Sequence, residues 1–221
     1  MSAFLSQIDW DAMIVAIQET MYMTFVSLFM SVLIGFVFGI ILYITKDDGL
    51  YPNKMINRIL DFIINLLRAI PFIILILIIL PVTKLLVGTM LGATAALPAL
   101  IISSAPFYAR MCMIALSEVD KGTIEASKAM GASNVQIITK ILFPEAKPAL
   151  ISSITVMGIS LVGYTAMAGC IGSGGLGNLA YMYGFVRNNM AVMYTATFFV
   201  LVIVFVIQVI GDYVVKKIDK R

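Results

Sequence analysis

Two short stretches of this 221-residue chain hold residues whose types and spacing could do chemistry. The first, residues 123–148, reads TIEASKAMGASNVQIITKILFPEAKP and sets Glu125, Ser127, Lys128 and Lys140 between two hydrophobic blocks. The second, Gly172-Ser173-Gly174-Gly175-Leu176-Gly177, fits the glycine string that lets a backbone approach a pyrophosphate. Context decides what each can do. No strand pattern precedes the glycine string and no acid follows about 20 residues on, which excludes a dinucleotide site. Ser173 raises the thought of an intramembrane protease, yet the chain has no His and shows no paired membrane aspartates. The absence of His also removes the commonest general base and metal ligand, so no catalytic residue and no metal site is expected. There is no Walker A sequence, and ATP binding through a P-loop is excluded with it. What remains is docking for the first stretch, and for the second a turn that folds the chain back or the outer mouth of a pathway.

The elements that must position these stretches are membrane helices. Of the residues 61% are hydrophobic and 12% charged, with a mean hydropathy of +1.03, against about 45–50% and about 25% in soluble domains. The net charge of +3 is small and implies no nucleic-acid partner. The partner implied by composition is the lipid membrane. Cys112 and Cys170 fall near opposite membrane sides and cannot pair within one chain. The 15 Met residues carry no information about a ligand, since Met is a common adaptable apolar side chain.

Hydropathy predicts five spans in one domain, 1–221: about residues 20–44, 59–80, 93–116, 149–168 and 190–215, with residues 117–148 as a loop. Residues 1–19 hold Asp9, Asp11 and Glu19 but no Lys or Arg, so they lack a signal-peptide start and read as an amphipathic lead-in. Gly35 and Gly39, four apart in the first span, predict close packing within the chain rather than dimerisation. The second span must begin near Ile59, because only 15 residues separate Arg68 from Lys84. That leaves Arg68 inside the membrane, facing backbone carbonyls or a carboxylate, with Pro71 as a bend. Pro98 and Pro106 interrupt the third span around Ser103 and Ser104.

Charge tests the topology. Lys84 and Arg187 fall on one side, whereas twelve of the fifteen basic residues, from Lys46 and Arg110 to Lys220 and Arg221, fall on the other. The positive-inside rule then puts the N-terminus outside and the C-terminus and residues 117–148 inside.

Within that inner loop, Thr123 is expected to cap a helix carrying Glu125 in its first turn. Ala126, Ser127 and Ala129 keep its side thin, and Gly131 stops it. Ser133 and Gln136 form a capping-box signal for a second helix, which Pro144 is expected to end, with Pro148 opening the next. The spacing Glu125-Ala126-Ser127, three residues, Gly131, nine residues, Ile141-Leu142-Phe143-Pro144 resembles the EAA loop of ABC importer permeases. Ser127 and Phe143 are mild departures, standing for Ala and Leu. Further stretches are similar to the methionine importer permeases: Arg68-Ala69-Ile70-Pro71-Phe72, Ala105-Pro106-Phe107-Tyr108-Ala109-Arg110, Leu161-Val162-Gly163-Tyr164-Thr165-Ala166-Met167, and Gly175-Leu176-Gly177.

The resemblance implies a type I ABC importer permease fold and a transport subunit rather than an enzyme. It implies a homodimer in the bacterial cytoplasmic membrane, joined to two ATPase subunits inside and a substrate-binding lipoprotein outside. ATP and Mg would sit on the ATPase, with no cofactor in this chain. The expected substrate is D- and L-methionine. Alternatives are another amino acid or an osmoprotectant such as glycine betaine and, outside the importers, a channel or secondary transporter. Implied ATPase contacts are Glu125, Ala126, Ser127, Ala129, Met130 and Gly131. The polar or adaptable residues Ser103, Ser104, Ser160, Tyr164 and Met167 could line the pathway or could glue helices together. Contacts to the binding lipoprotein are expected from Gly172, Gly174, Gly175, Gly177 and Arg187.

Overall fold

The computed structural model describes residues 7–219, so Lys220 and Arg221 of the charge count lie outside the described residues. Among the described residues, four runs are long and apolar enough to cross a membrane: α1 (Trp10–Ile44), α4 (Ala93–Ser117), the continuous run Asn134–Cys170 and α9 (Met190–Ile218). Between α1 and α4 lie α2 (Lys54–Ala69) and α3 (Phe72–Val87), bent by 106° at the break. The amphipathic lead-in does not stand apart. Asp9 accepts from the Ala12 N–H, and the helix that starts there runs on without a break into the first span.

The second span is therefore two helices rather than one bent rod. Pro71 has no N–H and keeps Ile70 out of the helical region, at φ −78°, ψ 121°. Arg68, expected to face protein, is exposed on this single chain. It is Arg110, on α4, that pairs with a carboxylate of α2, reaching Asp61 at 2.6 Å.

Small residues set how the long helices meet. A Cβ on Gly35 would lie 2.6 Å from the Ala105 carbonyl, and one on Gly39 2.6 Å from Cys112 Cβ, so these glycines seat α1 on α4 within the chain. Ser31 reaches the Ile101 carbonyl at 3.5 Å with the same sense of register, so α1 and α4 run parallel. Residues 134–170 run against α1, since Phe36 meets Phe143 and Leu28 lies beside Gly158. In turn α9 runs against that segment, with Gly158 beside Ile207 and Gly211 beside Thr155. Tyr108, Leu100, Met157 and Leu161 fill the core between them.

Pro144 does not end a helix. α6 (Asn134–Ile137) passes through a π turn, Ile138–Leu142, into α7 (Phe143–Cys170). The Phe143 N–H bonds Ile138 five residues back, and this wider turn absorbs a proline that has no N–H to give. At the other end of α7 a glycine turn leads to α8 (Gly175–Asn178), which widens into a π helix, Leu179–Val186, before α9.

Candidate coupling face and pathway face

The inner polar stretch folds as a short helix, α5 (Lys121–Ala129), four residues after the end of α4. Its cap is Asp120 rather than Thr123: the carboxylate accepts from the Thr123 N–H at 2.8 Å and the Thr123 hydroxyl at 3.1 Å. These bonds hold the Asp120 carboxyl below the usual carboxylate range. Asp wins because its acceptor can reach the third N–H of the helix, and Glu125 is displaced beyond the first turn. The helix ends as expected at Gly131, at φ +83°. Gly131 N–H bonds the Lys128 carbonyl and Ala132 N–H the Ser127 carbonyl, the paired bonds of a Schellman end. Ser133 and Gln136 then form the full capping box.

This folding divides the six residues implied for docking. Glu125, Ala126, Ala129, Met130 and Gly131 are exposed, with Met130 81% exposed as an apolar knob on a polar helix. Ser127 is buried and returns its hydroxyl to the Thr123 carbonyl at 2.7 Å, because it shares the inward face of α5 with Ile124. It offers no docking surface. Sequence reasoning missed the loop that braces this unit. Asp48 accepts from Lys121 at 2.7 Å, and Asn134 Nδ2 donates to the Leu50 carbonyl at 3.0 Å. The Lys121 ammonium lowers the Asp48 carboxyl and its own affinity for the proton is raised in return. A cavity of about 130 Å³ lies between loop and helix, lined by Tyr43, Asp48, Lys121, Ile124, Glu125 and Lys128. The run Lys46-Asp47-Asp48 was the signal available in sequence.

The outer glycines are packed rather than presented. Gly172, Gly174 and Gly175 have positive φ, and a Cβ on each would strike Leu91, Glu19 and Thr20 respectively. On Gly177 a Cβ would strike the Ala166 backbone. Glu19 accepts from the Gly175 N–H at 2.6 Å and the Thr20 hydroxyl from the Leu176 N–H at 2.9 Å, so α1 caps α8. Gly174, Gly175 and Gly177 are thus shape-giving positions, because the turn is covered by α1 and α7. Arg187 is exposed as expected and lies 4.3 Å from the Tyr183 ring, beside exposed Tyr181, Met182 and Phe185.

On α7 the exposed positions Ser152, Val156, Gly163, Met167 and Cys170 form one helical face. Ser160 lies along it, and Tyr164 at its edge stacks on Phe72 at 4.8 Å. Ser103 is half-buried on α4. Ser104 is not on a free face: it turns inward beside Ala105, and its hydroxyl has no partner among the described residues.

Residues 35–220 match the family described as the binding-protein-dependent transport system inner membrane component. The chain belongs to that family. As such a transport-system component it is a multi-pass helical membrane protein. It is 58% identical over 181 residues to the methionine import system permease protein MetP of Bacillus subtilis (strain 168), covering 82% of each chain. It is 47% identical over 151 residues to the D-methionine transport system permease protein MetI of Salmonella typhimurium (strain LT2), covering 68% of this chain and 70% of that one. Among solved structures it is similar to a chain of the MetNI methionine ABC transporter in an inward-facing conformation. There the TM-score is 0.92 at 42% identity, over 95% of this chain and 97% of the other. The type I importer permease architecture expected of the fold is the one this likeness gives.

Proposed function

We propose that this chain is the permease subunit of an ATP-driven importer that carries D- and L-methionine across the bacterial cytoplasmic membrane. The observation that carries the reading is the exposed face of α5: a short helix displaying Glu125, Ala126, Ala129, Met130 and Gly131 beyond one end of membrane-length helices. The 58% identity to a methionine import permease supports the substrate.

The chain acts as one transmembrane domain with five crossings, its N-terminus outside and C-terminus inside. Two observations support this. α1 and α4 run parallel, so the bent pair between them makes one net crossing in return. The basic residues cluster on the α5 side, as the positive-inside rule requires. Two copies assemble with two ATPase subunits, which hold ATP and Mg, and a binding lipoprotein delivers substrate outside. The exposed aromatic and Arg187 surface that follows the glycine turn, rather than the glycines themselves, receives that lipoprotein.

The mechanism is alternating access with no bond changed in the substrate. ATP binds the state in which the two α5 helices are drawn together better than the state in which they are apart, and substrate delivery biases the outward-open state in the same way. Ser160 and Met167 along the exposed face of α7, Tyr164 at its edge and Ser103 of α4 line the pathway; a thioether and aromatic surface suits an uncharged thioether side chain. ATP-dependent uptake of labelled methionine into vesicles carrying this chain, its co-encoded ATPase and its binding protein tests the reading. Uptake that ignores glycine betaine is expected. Betaine transport in its place would change the substrate, and flux without ATP would overturn the importer.

A further inference from the structure

α2 is an unusual element for its position. It is strongly amphipathic, and of its 16 residues only Ile64 is buried. A groove of about 290 Å³ separates it from α1 and α4, lined by Ile34, Phe38, Leu60, Ile101, Ala105 and Pro106. Apart from Leu60 and Ile64, which cluster with Leu42, Ala109 and Met113, the apolar face of α2 stands off and gains little packing energy, so something else must fix its direction. Polar contacts do so at two points. At its start Asn57 Nδ2 donates to the Leu42 carbonyl at 2.8 Å and to the Thr45 hydroxyl at 3.1 Å.

Farther along, three side chains close a ring. Arg110 of α4 donates from Nη2 to Asp61 Oδ1 at 2.6 Å and to Asn65 Oδ1 at 2.9 Å, while Asn65 Nδ2 donates to Asp61 Oδ2 at 2.8 Å. The Arg110 side chain is 19% exposed and that of Asp61 41%. Arg110 lies seven residues before the end of α4 at Ser117, and α5 begins at Lys121. At its other end α2 turns at Ile70–Pro71 into α3, whose first residue, Phe72, stacks on Tyr164 of the α7 face.

We infer that the Asp61–Asn65–Arg110 ring is the joint by which a displacement of α5 reaches the bent pair and, through Phe72, Tyr164. Asp61 and Arg110 are positioning residues, since neither lies on the pathway face. An ion pair with a shared amide acceptor is directional: it fixes both the rotation and the register of α2 on α4, whereas the apolar groove fixes neither. When α4 tilts with α5, α2 follows, and the proline hinge turns that movement onto α3. Without the ring α2 is held by Asn57 at its start and by the small apolar cluster of Leu60 and Ile64 with Leu42, Ala109 and Met113, which sets no direction, and α4 moves beneath it.

The inference rests on the importer reading above, and its test separates the two. Spin labels placed at the exposed positions Phe62 of α2 and Ile114 of α4 report the α2–α4 separation in the full complex without any substrate. With Asp61 and Arg110 intact, one sharp separation is expected that is the same with and without trapped ATP. In Asp61→Asn, a near-isosteric change, the distribution should broaden and shift on ATP binding. ATP hydrolysed per methionine imported should rise at least about fivefold in Asp61→Asn and Arg110→Gln, and return toward wild type in the reversed pair Asp61→Arg/Arg110→Asp. An α2–α4 separation that stays sharp in Asp61→Asn, or an unchanged ATP-to-methionine ratio in an assembled Asp61→Asn complex, overturns the joint. Failure of the unaltered complex to import methionine counts instead against the substrate reading and leaves the spin-label result standing.

Discussion

Two glycine turns, one at each end of the bundle, both rely on positive φ but put it to opposite uses. At the inner turn Gly131 sits at φ +83° with nothing within 4 Å of where a Cβ would be. At the outer turn Gly172, Gly174 and Gly175 sit at φ +95°, +76° and +76°, each under a side chain of another segment. One turn faces outward to be met by something else, and the other is closed over by α1 and α7. Positive φ therefore marks where the chain must reverse, while the space around the glycine decides whether the reversal presents a surface or fills one.

The sharpest way to break the comparison is to add a methyl group at each end. Gly177→Ala would force a Cβ against the backbone of Ala166, which cannot rotate away as a side chain could. We expect a loss of about 3 kcal/mol or more, seen as poor yield and a lowered unfolding midpoint in detergent. Gly131→Ala meets no atom and loses only the left-handed preference of glycine, about 1 kcal/mol. Equal destabilisation at the two sites would erase the distinction.

Function should separate the turns in the reverse order. Gly131→Asp leaves insertion and folding nearly intact, since Asp tolerates the left-handed region. It also places a carboxylate on the face that carries Ala129 and Met130. Uptake in vesicles should fall at least about tenfold while the purified chain keeps its unfolding midpoint; normal uptake by a stably expressed variant would remove α5 from the coupling role. A milder comparison is Glu19→Gln. The amide still accepts from Gly175, but the charge is gone from a bond that measures 2.6 Å. A cost of about 1 kcal/mol is expected, read as faster hydrogen exchange at the Gly175 and Leu176 amides with no change at Gly131.

How much of this was legible in sequence follows the range of each interaction. The third span was expected at residues 93–116 and is found at Ala93–Ser117. The Ser133–Gln136 capping box and the Gly131 stop were read correctly, because each is local to four or five residues. Pro71, expected as a bend, turns its span by 106°, whereas Pro144, expected to end a helix, is absorbed by a π turn. At Pro144 the helix widens while Ile137, just before the π turn, and Leu142, at its end, stay buried in the core. The pairing of Asp61 with Arg110, 49 residues apart, and the cap of Glu19 on Gly175, 156 residues apart, leave no trace in local spacing. Ser127 was placed on the docking face by its motif, and a motif does not say which way a side chain turns.

The smallest expected effect sharpens the comparison at the level of charge. The outer turn is tied by a half-buried carboxylate, whereas the inner unit is tied by Asp48 and Lys121, both more than half exposed and 2.7 Å apart. Lys121 lowers the Asp48 carboxyl, so the contribution of the pair is present above the ordinary carboxylate range and is lost as pH falls through the lowered value. Asp48 raises the Lys121 ammonium, so the same contribution persists below the ordinary lysine range and is lost only as pH rises through the raised value. Between those limits the tie is independent of pH, and water and salt compete with it throughout. Asp48→Asn should therefore shift the unfolding midpoint slightly at neutral pH and low salt, less at high salt, and not at all once the pH is below the lowered carboxyl. Asn134→Ala removes the bond to the Leu50 carbonyl at 3.0 Å and should act without regard to salt. A salt-independent, large effect of Asp48→Asn would mean that the loop is held by the ion pair after all, and the inner turn would then be as firmly tied as the outer.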